Sequence, residues 1–407
     1  MTVEPRPPPS EEDVRALGAW LVEQTLRDAA IDRLLEGFCE RLNAIGAPLM
    51  RGHMAFGWLH PMFGSMSITW TAASGLTRDR HLRNVETPGW LASAPKALLE
   101  SGEPRRRYRL DAGEGTNQFE QLRTLADAGA TDYYLMLAAF QDTASAQAKR
   151  DGLIASWTSD APGGFTDAEI AVIERLFPRL ALGVKAAVRE ETALSVVSAY
   201  LGAGAGRRVL DGAIQLGQGE RIAAALWYSD LRGSTRLADE IAPDAFLAHL
   251  NRYFACTAGA VLDHGGEVLR FVGDAVLAIF PTEGPGGAER AVRLAAAAAR
   301  DARTRAEQAN AEAPADAPKI AFGLGLHLGE VLFGNIGVPE RVEFSVIGAA
   351  ANEVARLESL TKELGRDVLA SDAFRAQAPA SSAGAWTSLG PQHFRGVKRP
   401  QTVWALD

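Results

Sequence analysis

The sequence predicts two α+β domains in succession, and three observations support this. The chain has 407 residues, which is more than one ordinary hydrophobic core accommodates. Residues 1–190 begin with helical apolar spacing, continue with short strand-like runs and end in a second helical pattern. From residue 221 onward, strand-like runs and helical segments alternate again. We therefore divide the chain into an N-terminal domain (1–190), a connector (191–220) and a C-terminal domain (221–407).

Composition and charge exclude several classes of protein. Apolar residues make up 47% of the chain and charged residues 23%, as in soluble globular proteins. The formal net charge of −8 does not suit nonspecific nucleic-acid binding, which needs clustered Lys and Arg. No apolar run approaches the length that spans a bilayer, and the N-terminus lacks a signal core. We expect a cytoplasmic protein with neither a nucleic-acid nor a membrane partner.

Helices bound the predicted N-terminal domain. Apolar residues recur at three- and four-residue steps between Glu11 and Ala44, which predicts helix, in one or two pieces. Thr166, with Glu169 three residues later, predicts a capping box that opens the closing helix. The basic run from Arg105 to Arg107 lies in a polar stretch, and we predict an exposed loop there. Strand candidates lie at 53–60, 65–71, 132–140 and 151–157.

This order of elements, together with the stretch from Ala155 to Glu169, resembles a GAF-type sensor domain. A regulatory or dimerising α+β domain without a ligand is the alternative. In the connector, the glycines between Gly202 and Gly206 follow a helix-like run rather than a strand, so we predict a hinge and not a phosphate-binding loop.

The C-terminal domain opens with a buried strand that ends in an acid. The apolar run 222–228 leads into Ser229-Asp230-Leu231-Arg232-Gly233-Ser234-Thr235. An aspartate at a strand end can hold a metal. The backbone amides of the following turn, at Gly233, Ser234 and Thr235, suit phosphate oxygens.

A second acid follows at the tip of a predicted hairpin. Two β-rich runs flank Gly273-Asp274, which places Asp274 at the turn. Asp230 and Asp274 can then lie side by side on adjacent strands. Neighbouring carboxylates repel each other, and hard oxygen ligands favour Mg²⁺ or Mn²⁺, so the pair indicates a cation site.

The order of three sequence blocks gives these residues a family context. Together they cover Arg221 to Leu406, and this region resembles the catalytic domain of class III adenylate/guanylate cyclases. The blocks are 229–235, 269–278, and a third that combines 323–331, 334–337 and 344–348 with Asn352 and Arg356.

This resemblance implies a ferredoxin-like α+β fold, a homodimer and two Mg²⁺ or Mn²⁺ ions. It makes Asp230 and Asp274 the metal ligands, assisted by the carbonyl group of Leu231. Asn352 would orient the ribose, and Arg356 would neutralise charge on the α-phosphate in the transition state. In the family, one protomer supplies the aspartates and the other supplies Asn and Arg, so each active site is composite.

The nucleobase is expected to contact Arg270 and Ser345. Adenylate cyclases of the family usually carry Lys at the first position, and guanylate cyclases typically carry Glu. Arg270 therefore argues against GTP: it can donate to adenine N1, while the Ser345 hydroxyl can donate or accept at the base edge. Arg is not equivalent to Lys, however, and can also donate to a carbonyl oxygen of guanine or uracil.

We expect an adenylate cyclase that is regulated by its N-terminal domain. The alternatives are a cyclase for GTP or a pyrimidine nucleotide, and a catalytically degenerate nucleotide-binding protein. Val397 stands where the family often has a triphosphate-binding Lys, and we expect Lys398 or Arg395 to replace it.

Overall fold

The structure, a computed structural model, describes residues 6–140, 151–379, 385–394 and 400–406. The chain separates into two compact units, Met1–Val196 and Val197–Asp407. The division falls inside the segment assigned to the connector, which is helical as far as Leu201. In the described part of the chain, no helix combines the length and the apolarity needed to cross a membrane.

The N-terminal unit is an antiparallel sheet of order β3-β2-β1-β6-β5-β4 with helices around it. Its elements are α1 (Glu11–Leu26), α2 (Ile31–Ala44), β1 (Arg51–Gly57), β2 (Phe63–Thr71), β3 (Gly75–Leu82), α3 (Pro88–Leu91), α4 (Ala94–Ser101), β4 (Arg105–Arg109), α5 (Glu120–Asp127), β5 (Asp132–Ala139), β6 (Gly152–Ser159) and α6 (Asp167–Leu201).

The predicted N-terminal elements are confirmed where the apolar pattern was clear. The early helical stretch forms two helices, and each of the four strand candidates forms a strand. The capping box is present, since the Thr166 N–H donates to the Glu169 carboxylate over 2.7 Å and the Glu169 N–H donates to the Thr166 hydroxyl. One face of the sheet packs with α1, α2 and α6 in a core that includes Phe38 and Trp157.

The predicted loop at the arginine run is wrong, because these residues form β4. The guanidinium group of Arg107 donates to the buried carboxylate of Asp132 over 2.6 Å. A buried carboxylate requires such a partner, since removing its charge from water is costly. Three consecutive arginines hid the alternation of the strand, and the partner lies 25 residues away.

The C-terminal unit is built on a larger sheet of order β13-β14-β12-β10-β7-β9-β8, with β11 paired to β10. Its elements are α7 (Ala203–Leu210), β7 (Gly219–Leu231), α8 (Ser234–Glu240), α9 (Pro243–Asp263), β8 (Glu267–Val272), β9 (Ala275–Pro281), α10 (Gly287–Glu312), β10 (Phe322–Val338), β11 (Arg341–Ile347), α11 (Ala349–Glu363), β12 (Val368–Ser371), α12 (Asp372–Ala376), β13 (Trp386–Gln392) and β14 (Gln401–Leu406).

The central strands confirm the α+β, ferredoxin-like architecture. The order β10-β7-β9-β8 is antiparallel throughout, with α9 after β7 and α10 after β9. The side chains of β7 alternate between two cores. Trp227 packs with α9 and α10, and Leu226 packs with residues of α11 on the other face.

Helix α11 lies close to β10 because the strand carries a glycine at the contact. A Cβ at Gly325 would be 2.4 Å from the carbonyl oxygen of Val354 and 2.8 Å from the amide nitrogen of Glu358. Both of these atoms belong to the helix backbone, which cannot move aside as a flexible side chain can. Gly325 therefore sets the distance between α11 and the sheet.

We predict that Gly325→Ala lowers the free energy of unfolding by about 1–3 kcal/mol, because the added methyl group overpacks a backbone contact. Urea denaturation measures the change. Gly89→Ala is the matched control, since a Cβ there has no heavy atom within 4 Å. Equal stability of the two variants would contradict the close packing of α11.

Candidate active site

The end of β7 places Asp230 in the middle of the sheet. Its backbone pairs with Ala275 of β9 on one side and with Gly323 of β10 on the other. The neighbouring Ser229 points to the opposite face, where its buried hydroxyl lies 3.0 Å from the Tyr253 hydroxyl. Pairing on both sides fixes the position of the Asp230 carboxyl group.

The hairpin turn brings Asp274 to the same place. Gly273 has φ +63°, a conformation that glycine adopts without strain, and it allows the tight turn between β8 and β9. Asp274 directly precedes Ala275, the register partner of Asp230. The predicted proximity of the two aspartates is therefore present, and their side chains form a hydrogen bond.

The environment of Asp230 opposes its ionisation. Burial raises the pKa of Asp230 to about 6, and repulsion by Asp274 acts in the same direction. A backbone hydrogen bond at Leu231 and the charge of Arg232 oppose this shift. A bound cation would reverse the balance, since it attracts both carboxylates. The donor set of two carboxylates thus fits a hard divalent cation.

A third acid lies near this pair, and the sequence analysis missed it. Glu358 of α11 is buried, and its pKa is raised to about 7 by burial and by the charges of Asp230 and Asp274. Its helical spacing from the buried Val354 and Thr361 could have identified it. Within the described residues, no three His, Cys, Asp or Glu side chains converge as metal ligands, so the fit to a cation rests on the two aspartates.

The turn after β7 has the predicted form. Gly233 has φ +71° and precedes α8, which begins at Ser234. No side chain caps α8, so the amides of its first turn have no side-chain acceptor. Leu231 is buried and pairs with Phe322 of β10. The phosphate contacts of Gly233, Ser234 and Thr235 remain predictions.

The structure does not bring Asn352 and Arg356 to the two aspartates. Both lie on α11 four residues apart, so they share one face of the helix. The opposite face is buried against the sheet through Ala350, Val354 and Leu357, while Asn352 is exposed. Their side chains are directed away from the sheet that carries the aspartates of the same chain.

The two expected base-binding residues lie on different strands, and one has an unexpected partner. The guanidinium group of Arg270 on β8 contacts the Glu343 carboxylate on β11 over 2.6 Å. Ser345 is buried and lies two residues from Glu343, so both face the same side of β11. The sequence analysis did not identify Glu343, because the approach of β8 to β11 leaves no local sequence signal.

Arg395 and Lys398, proposed to bind the triphosphate, lie outside the described residues. Their assignment remains a prediction.

Comparison with known proteins covers this unit. Residues 219–404 match the family described as the adenylate and guanylate cyclase catalytic domain. An adenylate cyclase of Anabaena cylindrica is 30% identical over 156 residues, which are 38% of this chain and 31% of that protein. An uncharacterized protein of Mycobacterium tuberculosis is 33% identical over 186 residues, which are 46% of this chain and 33% of that protein. The chain thus aligns with about a third of the length of these curated relatives.

A solved structure has the same type of domain. The adenylyl cyclase CyaB from P. aeruginosa is 24% identical, with 47% of this chain and 96% of that chain covered and a TM-score of 0.39. The match leaves the N-terminal unit without a family, and its resemblance to a GAF domain stays a hypothesis. Residues 219–404 of this chain form a class III adenylate and guanylate cyclase catalytic domain.

Proposed function

We propose that the protein converts ATP to 3′,5′-cyclic AMP and pyrophosphate as a homodimer with composite active sites. The observation that carries this proposal is the convergence of Asp230 and Asp274 at one point of the sheet, with the pKa of Asp230 raised. Such a pair favours a cation that can also engage the triphosphate of a nucleotide.

The residues divide the chemistry between them. Asp230 and Asp274 would hold two Mg²⁺ or Mn²⁺ ions, which acidify the ribose 3′-hydroxyl and neutralise the triphosphate when bound. Asn352 would orient the ribose, so that its 3′-oxygen is in line with the α-phosphorus. Arg356 would donate hydrogen bonds to the α-phosphate as negative charge builds up in the transition state. The bond from the 3′-oxygen to phosphorus forms, and pyrophosphate leaves.

The orientation of α11 supports the homodimer. Asn352 and Arg356 lie on its outer face, whereas Asp230 lies on the sheet that its inner face covers. A second copy of the chain can supply the missing half of the site to each pair of aspartates. In a two-fold dimer this arrangement gives two equivalent composite sites.

The pair formed by Arg270 and Glu343 supports a purine substrate. Adenine presents an acceptor at N1 beside the N6 amino group, and the guanidinium and carboxylate of the pair offer a donor and an acceptor to match. The Ser345 hydroxyl on the same strand face adds a further polar contact. Guanine, with donors at N1 and N2 and an acceptor at O6, is the second candidate, because the same pair can serve it with the roles exchanged.

The N-terminal unit is proposed to regulate this activity. Helix α6 continues from the N-terminal unit to Leu201 without interruption. A change in the N-terminal unit can therefore be passed along the helix backbone towards the catalytic domain. The sign of the regulation is open.

We predict that the purified chain, incubated with Mn²⁺ and each of ATP, GTP, CTP and UTP, forms cyclic AMP fastest. Asp274→Ala should lower turnover by about 10³-fold or more, since it removes a carboxylate from the proposed cation site. Mass spectrometry of the cyclic products measures both effects.

Asp239→Ala is the control, because Asp239 is an exposed acid on α8. It should leave turnover unchanged. No cyclic product from any nucleotide would exclude the enzyme, product from GTP alone would exclude the substrate assignment, and full activity in Asp274→Ala would exclude the cation site.

We predict that the Asp274→Ala and Arg356→Ala chains are each inactive alone and regain activity when co-expressed. Random pairing makes half of the dimers mixed, and each mixed dimer has one intact site of two, so activity should reach about a quarter of the wild-type value. Mixing Asp274→Ala with Asp230→Ala, whose changes affect the same half-site, is the matched control and should restore nothing. Failure of the first mixture to recover activity would contradict the composite site.

A further inference from the structure

The N-terminal sheet has a second face that is unusually polar. On β1 the core side carries Met54 and Phe56, and the opposite side carries Arg51 and His53. Strand pairing aligns polar residues next to these two, with Thr71, Arg51, Thr158 and Tyr133 in one row and Thr69, His53 and Ser156 in the adjacent row. Six of these seven residues can donate a hydrogen bond through a hydroxyl group or a guanidinium group.

Arg51 carries a positive charge here without a partner. Its Nη1 atom is fully buried and forms no hydrogen bond, and no described carboxylate lies within ion-pair distance of its side chain. Burial lowers the pKa of the guanidinium group, yet it remains charged at any physiological pH. A buried cation that lacks a counter-ion is costly, and other buried charges of this unit are paired, as Arg107 is with Asp132.

The hydroxyl groups around Arg51 also lack partners. The side-chain oxygens of Tyr133, Ser156 and Thr158 are buried, and none has a hydrogen-bond partner in the described part of the chain. Buried polar atoms in native proteins are nearly always satisfied, so several orphaned donors on one patch indicate a missing acceptor. Arg51, Thr158 and Tyr133 are directly opposite one another on β1, β6 and β5.

His53 does not supply a second charge. Its Nδ1 lies 2.8 Å from the Thr69 hydroxyl, and burial, followed by the charges of Arg51 and His81, lowers its pKa to about 3. The imidazole is therefore neutral at physiological pH and contributes a polar ring beside Arg51. The patch has one uncompensated positive charge.

We propose that this patch, formed by Arg51, Tyr133, Ser156 and Thr158, binds a small ligand through an oxyanion, either a carboxylate or a phosphate group. Such a group accepts hydrogen bonds from the guanidinium fork and from the surrounding hydroxyls at the same time. It also neutralises Arg51. A water molecule would satisfy a donor and leave the charge unbalanced.

This site is distinct from the cyclase site, and inorganic phosphate is expected to bind at both. The test must therefore locate the binding. Hydrogen–deuterium exchange of the full chain does so, when sodium phosphate or sodium acetate is compared with sodium chloride at equal ionic strength. Phosphate probes the tetrahedral oxyanion and acetate the planar one.

We expect at least one of the two anions to slow exchange in β1, β5 and β6. With the anion at about ten times its dissociation constant, local opening should become about tenfold rarer, because only the closed form binds. Arg51→Met should abolish this protection, and Tyr133→Phe, which keeps the ring and removes one donor, should weaken it. Arg123→Met, which removes an exposed arginine of α5, is the control and should keep it.

A second readout separates binding from a structural role. Without anion, the Arg51→Met chain should exchange no faster than wild type in these strands, because the change removes an unpaired buried charge. Faster exchange in that variant would assign Arg51 to structure. Unchanged exchange of the wild-type strands with both anions, or protection that persists in Arg51→Met, would overturn the proposal.

Discussion

Electrostatic repulsion between Asp230 and Asp274 is the constraint on which the catalytic unit depends. The sheet holds the two carboxyl groups together, because β7 is paired on both sides and the turn at Gly273 aligns Asp274 with the end of β7. The surrounding core of β7, α9 and α10 fixes these strands. The fold thus imposes an arrangement that is unfavourable without a cation. Buried packing elsewhere in the unit must offset this local cost, as is common at functional sites.

Much of this site could be predicted from local sequence. A buried apolar run predicts the strand that ends at Asp230, and two β-rich runs around Gly273 predict the hairpin. The helix with Asn352 and Arg356 was expected from the cyclase resemblance and is present. These features depend on residues near one another in the chain, so periodicity and turn chemistry are enough to reveal them.

Contacts between distant segments could not be predicted in this way. The pair of Arg270 and Glu343 joins two strands with a long helix and another strand between them in sequence. Glu358 approaches the aspartates only because α11 packs closely on β10 at Gly325. The buried partner of Arg107 was missed for the same reason. In each case a charged side chain appears solvent-exposed in the sequence, and tertiary packing gives it a partner. Arg51 shows the opposite outcome, with burial and no described partner.

Mn²⁺ binding as a function of pH tests the central claim most directly. Asp230 has a raised pKa of about 6, so below this pH its carboxyl group must release a proton before it can bind a cation. The apparent association constant, measured by isothermal titration calorimetry, should therefore rise about tenfold per pH unit up to pH ~6 and then level off, with about one proton released per ion at pH ~5. Asp239→Asn should behave as wild type, while Asp274→Asn should bind more weakly and with a flatter pH dependence. An affinity independent of pH between about 5 and 7, or equal affinity in Asp274→Asn, would contradict a shared cation site at the two aspartates.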